Sequence, residues 1–226
     1  MTHNGMYARN ANPFDITWEK WAAIWCNWQL SIPRTIHPAI DEIGRNCNQN
    51  QDNPNVWFLT GTFGNSVVIR RSCAVPKERA ILFPIIYKED SFAEDKDLCN
   101  EFELMSRARD FAEHVIHLRT TIDGEDLHDL YKNRIQSEFF DLTFPAQCVY
   151  DVEPGLTRSV CDGYWIFLKP LPVGEHEIHF TGIGLLPKDD IVTEQIKNDS
   201  VYAPFRNYID RYSRFKVDVV YRLTIE

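Results

Sequence analysis

Residues 215–225 read FKVDVVYRLTI, and their period of two sets the fold class. Phe215, Val217, Val219, Tyr221, Leu223 and Ile225 fall on one side of an extended chain, while Lys216, Asp218, Arg222 and Thr224 mostly fall on the other, because successive side chains of a strand point to opposite faces. The stretch is expected to be a half-buried antiparallel strand. Before it, strands are expected at Glu175 to Thr181, at Tyr164 to Leu168, and at the alternating Phe140, Leu142 and Phe144 ahead of Pro145. Another is expected at Leu118 to Ile122, closed by an Asp123-Gly124 turn. Further back, Val56 to Thr60, Ser66 to Arg71 and Ala80 to Tyr87 are short apolar runs bounded by turn residues, and Gly61 and Gly64 in GTFG suggest a hairpin joining the first two.

Helical periodicity interrupts this pattern in a few places. Trp18, Trp21, Trp25 and Trp28 recur at i, i+3, i+7 and i+10 within Asp15 to Leu30, which at about 100° per residue puts all four in one stripe. Asp15 or Thr17 can cap this helix, and Pro33 closes it. A short helix is expected over Pro38 to Ile43, with proline first and Gly44 where a left-handed end residue belongs. An amphipathic helix is expected over about 98–117, with Leu98, Phe102, Met105, Ala112 and Ile116 on its apolar face. The connection from about 184 to 213 is far longer than the usual two to six residues, with weak helical character in Asp190 to Lys197 and Phe205 to Tyr212. It reads as a lid, a partner surface or a mobile excursion.

At 226 residues the chain is expected to form a single domain over 1–226, with a helical cap over 1–50 and a β-sandwich over 55–226. Thirty-three Asp and Glu against 24 Lys and Arg give a formal charge of -9. With no cluster of basic residues, a nucleic-acid partner is not expected, because affinity for phosphates rests on several basic groups displacing counterions. No stretch reaches the roughly 18 apolar residues of a membrane helix, so no membrane insertion is expected. Met1 to Asn12 lack the apolar core of a secretory signal. The expectation is a cytoplasmic chain as written, or an exported one if this is a mature form. The six cysteines, Cys26, Cys47, Cys73, Cys99, Cys148 and Cys161, include no CxxC pair, which argues against a zinc ribbon or a thioredoxin-type motif.

The tryptophan helix WEKWAAIWCNW, HPAID with Gly44 and Cys47, VWFLTGTFG, RRSCAVP, ILFPII, RDFAEHVIHLRTTIDG, DGYWIFLKPLPVGEHEIHF and FKVDVVYRLTI together carry a resemblance that spans about Trp18 to Ile225. In these segments the chain resembles a family of bacterial and archaeal proteins, many of them exported, that has no established activity. The resemblance implies a mainly β fold: an immunoglobulin-like or jelly-roll-like antiparallel β-sandwich with an N-terminal helical cap and one docked amphipathic helix. Relatives carry an export signal that this sequence lacks, and they pass quickly through the region that is long here at 184–213. Cys47 and Cys73 both lie in segments shared with the family, and their most economical pairing is with each other, fastening the cap to the second strand. Two buried thiols are the other reading.

Candidate chemistry is sparse. The tryptophan stripe could stack a planar ligand, but indoles at strict helical spacing more often form a core face. Trp25, Trp57 and Asp162 are the candidate ligand contacts, although Asp162-Gly163 reads first as a turn. His37 and Asp41 could share a helical face, with His37 as a base or merely a cap. His176 and His179 would face opposite sides of a strand, and His114 and His117 sit at a helix end, so no metal site is supported. No GxSxG elbow or cysteine-protease signature is present. Glu89 and Asp90 follow the apolar run ILFPII at a strand end, and Arg134 and Asp162 occupy other strand edges. The leading expectation is a binding or interaction module for a small ligand or a protein, without cofactor, which could pair with a second copy. The alternative is a cofactor-free hydrolase, lyase or cyclase in which His37, Glu89 and Arg134 converge as the catalytic set.

Overall fold

The computed structural model describes residues 5–64, 67–150, 152–187 and 212–226. Most of the chain is extended. Helix α1 spans Trp18–Leu30, and strands β1 (Val56–Phe58), β2 (Ile69–Val75) and β3 (Ala80–Ser91) follow. Helix α2 (Glu101–Glu113) precedes β4 (Val115–Ile122), β5 (Glu125–Asp126), β6 (Arg134–Gln136) and β7 (Phe140–Phe144). The long strands β8 (Gly155–Leu168), β9 (Gly174–Pro187) and β10 (Tyr212–Ile225) complete the order. One sheet runs β1-β3-β8-β6, with β7 also paired to β8; the other runs β2-β10-β9-β4-β5.

The expected purely antiparallel pattern needs correction, because β1 pairs with β3 and β2 with β10 in parallel, so both sheets are mixed. The expected β1-β2 hairpin also does not form. After Phe58 the chain leaves the first sheet and crosses to the second, and its glycines allow close approach rather than reversal. A Cβ on Gly61 would lie 2.9 Å from Val217, and one on Gly64 2.9 Å from Phe215. The carbonyls exposed by the crossing are satisfied by Arg71, whose guanidinium donates to Thr60 O (2.8 Å) and Gly61 O (2.9 Å).

Arg71 also explains why residues 38–43 form turns instead of the expected helix. Its Nη2 donates to Ala39 O at 2.9 Å and its Nε to Asp41 O at 2.6 Å, taking carbonyls that a helix would use internally. Asp41 in turn accepts from the backbone of Ile43 and Asn46 at 3.0 and 2.7 Å. Beside this turn, Cys47 and Cys73 form a disulfide with Cα atoms 6.1 Å apart, tying the N-terminal segment to β2.

Two apolar layers result. Between the sheets lie Phe83 and Ile166 from one side and Phe180, Val219 and Leu223 from the other. On the outer face of the first sheet, α1 packs its four tryptophans against Phe58, Leu82, Trp165 and Phe167. Each indole N–H also donates to a backbone carbonyl: Trp18 to Ala8, Trp21 to Pro13, Trp25 to Leu59 and Trp28 to Gln49. At about 25 cal/mol per Å2, a buried indole of about 200 Å2 contributes on the order of 5 kcal/mol before chain entropy opposes it. Thr17 caps α1 by accepting from Lys20 N.

Helix α2 begins later and buries a different face than the periodicity suggested. Asn100 caps it by accepting from Glu103 N at 3.1 Å. Leu104, Ala108, Phe111 and Ala112 face inward at i, i+4, i+7 and i+8, while Phe102 is 75% exposed. The expected C-terminal part, from Val115, is instead β4. The β4-β5 turn at Asp123 and Gly124, with φ of 53° and 83°, matches its expectation. The β9-β10 pairing reaches from Gly174 opposite Ile225 to the far ends of both strands. Residues 188–211, which hold most of the long connection and its weakly helical stretches, lie outside the described residues.

Candidate functional site

The short β1 leaves an opening. It pairs only with Ala80 to Leu82, and Leu59 adds one further bond to Leu82 O. Beyond that point no strand among the described residues accompanies β3 on this side, since the chain has turned toward the other sheet. A cavity of about 370 Å3 lies along this edge. Its walls are Pro84 to Glu89 of β3, the crossing residues Thr60 to Phe63, and Leu186, Phe215 and Val217 of the second sheet, with Phe111, Gln29 and Tyr150 closing the ends. Pro84 lacks an N–H, and the β3-β8 register shifts between Pro84 and Ile86. Both features disfavour addition of another strand here and leave space for a ligand.

Most of the lining is apolar, but one wall is not. Tyr87 Oη donates to Gln29 Oε1 at 2.7 Å. Glu89, 4% exposed, accepts from Ser159 Oγ through Oε1. Glu94 also lines the cavity and accepts from Ser91 Oγ at 2.7 Å. The two carboxyls are close enough that a proton held between them is a hydrogen bond. Burial, and then the neighbouring Glu94 charge, push the Glu89 carboxyl well above the usual carboxylate range. Burial raises Glu94 as well. Asp90 points to the other face and is pushed up to about 8 by burial, against the pull of Lys88. The hydroxyl oxygens of Thr60 and Thr62, also on the cavity wall, have no partner among the described residues.

The three residues expected to converge do not meet. His37 is buried; its Nδ1 accepts from Ala39 N at 3.1 Å, so Nε2 carries the proton and donates to Gln29 O at 2.9 Å. Burial first, and then the Arg71 charge, lower its pKa to about 4 although the Gln29 carbonyl opposes this. A neutral imidazole with both nitrogens occupied is no base, and it approaches the cavity only through Gln29 and the Phe63 ring, 5.5 Å away. Arg134 donates Nε and Nη2 to the two Asp162 oxygens at 3.0 and 2.9 Å. Glu89 lies opposite Cys161 and Lys88 opposite Asp162, so the Arg134–Asp162 pair occupies the other face of the sheet from Glu89.

The expected ligand contacts are placed elsewhere as well. Trp25 is fully buried in the α1 layer and Trp57 in the layer between the sheets; neither lines the cavity. Asp162 sits within β8, not in a turn, and Gly163 is required because a Cβ there would lie 2.5 Å from Ile86 O. His176 pairs with Asp123 at 2.7 Å and His179 with Asp218 at 2.8 Å, and no group of three or more metal-ligating side chains exists among the described residues. No described helix is long and apolar enough to cross a membrane.

Sequence reasoning reached Glu89 but missed Glu94, Tyr150, Gln29 and Thr60, which come from four separate segments. One signal was present: ILFPIIYKEDSFAED passes from a continuous apolar run straight into carboxylates, which puts acids where a strand is still buried. Comparison with protein-family models, curated proteins and solved structures finds no match for this chain.

Proposed function

We propose that this chain is a small-ligand binding module and that its site is the cavity along the open edge of β3. Cavities of this volume suit small molecules, and a mostly apolar wall with a few convergent polar groups is the usual composition of such sites. One observation carries the reading. Glu89, Thr60 and Thr62 are buried polar residues on the wall of the same cavity, brought there from two separate segments. A few polar groups converging on a mostly apolar space are what would hold and orient a bound molecule. The disulfide between Cys47 and Cys73 supports the exported alternative for location.

A fragment screen by thermal shift tests this, run on the wild-type chain and on Leu186→Phe, which fills the cavity from β9. Fragments should raise the melting temperature of the wild type and lose that effect in the variant, whose own melting temperature reports that it folds. Fragments that stabilise both proteins equally would contradict the proposal, as would a wild type that responds to none.

A further inference from the structure

Four carboxyls gather at the cavity and the loop after β3, and cations are distributed unevenly among them. Asp90 has Lys88 Nζ at 3.1 Å and Arg107 Nε at 3.7 Å. Asp95 has Arg107 Nη1 at 3.1 Å. Glu89 and Glu94, the two that line the cavity, have no ion-pair partner among the described residues; each accepts from a serine hydroxyl, and the two share a hydrogen bond with each other. The cation-poor pair is the one turned toward the space. The rings of Phe63, Phe111 and Phe215 line the same cavity.

Building on the reading of this cavity as a ligand site, we propose that its ligand is an organic ammonium ion with an aromatic or branched apolar body. The ammonium head sits between Glu89 and Glu94, and the body lies against the three phenylalanines. The chemistry favours a cation over a neutral donor. Two adjacent carboxyls that share one proton keep one negative charge in a dry site, and buried charge is costly unless it is paired. A neutral hydroxyl would satisfy an oxygen and leave that charge unpaired. An ammonium group supplies three donors and the compensating charge, and ring faces add attraction for a cation. A metal ion fits less well, because the described residues offer no three-ligand cluster and most of the wall is apolar.

Proton balance follows. The pair keeps its shared proton and its one negative charge when the ammonium enters, and the two charges cancel. Binding should therefore tighten as pH rises until the pair carries its single negative charge, and exchange no proton above that point. The other ionisable groups around the pair are Lys88 and Asp90 on the other face of β3, Asp95 in the loop after it, Tyr87, Tyr150 from the loop beyond β7, and the thiols of Cys26 on α1 and Cys161 on β8. Burial raises Tyr87, Tyr150 and Cys26, so these stay neutral through the carboxyl range.

Isothermal titration calorimetry on the full chain tests the ligand class with three probes of similar shape: 2-phenylethylammonium, 2-phenylethanol and 3-phenylpropanoate. The ammonium should bind at least about tenfold tighter than the alcohol, a difference of about 1.4 kcal/mol, and the carboxylate should not bind. Heats measured in buffers of different ionisation enthalpy should agree once the pair carries its single charge, because no proton is then exchanged. In Glu89→Gln the preference for ammonium over alcohol should vanish while the melting temperature holds, and Glu94→Gln serves the same purpose if the first variant does not fold. Equal binding of ammonium and alcohol, or tighter binding of the carboxylate, overturns the cationic ligand and leaves the cavity as a binding site. If none of the three binds but fragments still lose their effect in Leu186→Phe, the ligand class falls alone. If neither probes nor fragments bind, both readings fall.

Discussion

Arg71 and Glu89 are two buried charged residues on either side of the same crossing segment, and their surroundings differ in one respect. Arg71, 2% exposed, donates to four backbone carbonyls and to Tyr221 Oη. Every one of those groups belongs to the chain, and together they fasten residues 39–41, the crossing at Thr60 and Gly61, and the second sheet. Glu89 accepts from one serine and shares a hydrogen bond with a second carboxyl, Glu94, and neither has an ion-pair partner among the described residues. A buried charge with a full set of partners reads as architecture. An acid pair without a cation at the wall of a cavity reads as a place kept for one.

Four substitutions sharpen or break this contrast, in order of expected effect. Arg71→Met should be the most damaging, because it removes the donor to the carbonyls of Ala39, Asp41 and Gly61, while Thr60 O keeps only Tyr221 Oη; a loss of about 3–5 kcal/mol in urea unfolding is expected. A loss under about 1 kcal/mol would show that the clamp is not structural. Removing the Cys47–Cys73 bridge by double substitution to alanine should cost about 3 kcal/mol, in line with the loop it closes. The same bridge predicts that only Cys26, Cys99, Cys148 and Cys161 alkylate in unreduced, denatured protein. Alkylation of all six would rule it out.

Glu89→Gln should go the opposite way from Arg71→Met, leaving stability unchanged or raising it by about 1 kcal/mol, since the amide removes the cost of keeping a proton on a carboxyl that the unfolded chain would ionise. The pH dependence gives the sign. An acid whose folded pKa lies above its unfolded value holds a proton in the folded chain that the unfolded chain has already lost, so stability falls as pH rises between the two values. For Asp90 that window runs from its ordinary 3.8 to about 8, and Glu89 and Glu94 add to it in the same direction. Wild-type stability should therefore decline across the window, and Glu89→Gln should show a shallower decline. Identical slopes would mean that Glu89 is not held protonated. Phe102→Ser should change stability by less than about 0.5 kcal/mol, because this exposed ring faces away from the core. A large loss would restore the helical face first expected.

Residues 215–225 were legible because their inward face, Val217, Val219, Tyr221, Leu223 and Ile225, is apolar and buried throughout, while polar residues alternate with it at Lys216, Asp218, Arg222 and Thr224. The crossing was not legible, because Gly61 and Gly64 carry the same letters in a turn and in a close backbone contact. Only the positions of Val217 and Phe215 tell them apart. Residues 38–43 likewise looked helical locally, and what unmade the helix is a guanidinium thirty residues later. That arginine had left a trace: Arg71 is in phase with Ile69, Cys73 and Val75 on the buried side of β2. The acid pair was half legible. Glu89 follows an apolar run, but the groups that make its surroundings unusual are brought together only by tertiary packing.

The most direct test of the central claim is methyl NMR mapping of 2-phenylethylammonium bound to the wild-type chain. Shifts concentrated on Ile85, Ile86, Leu186 and Val217 are expected, with the methyls beneath the tryptophan stripe, such as those of Leu30 and Leu142, unchanged. Shifts centred on the α1 layer, or none at the β3 edge, would contradict it.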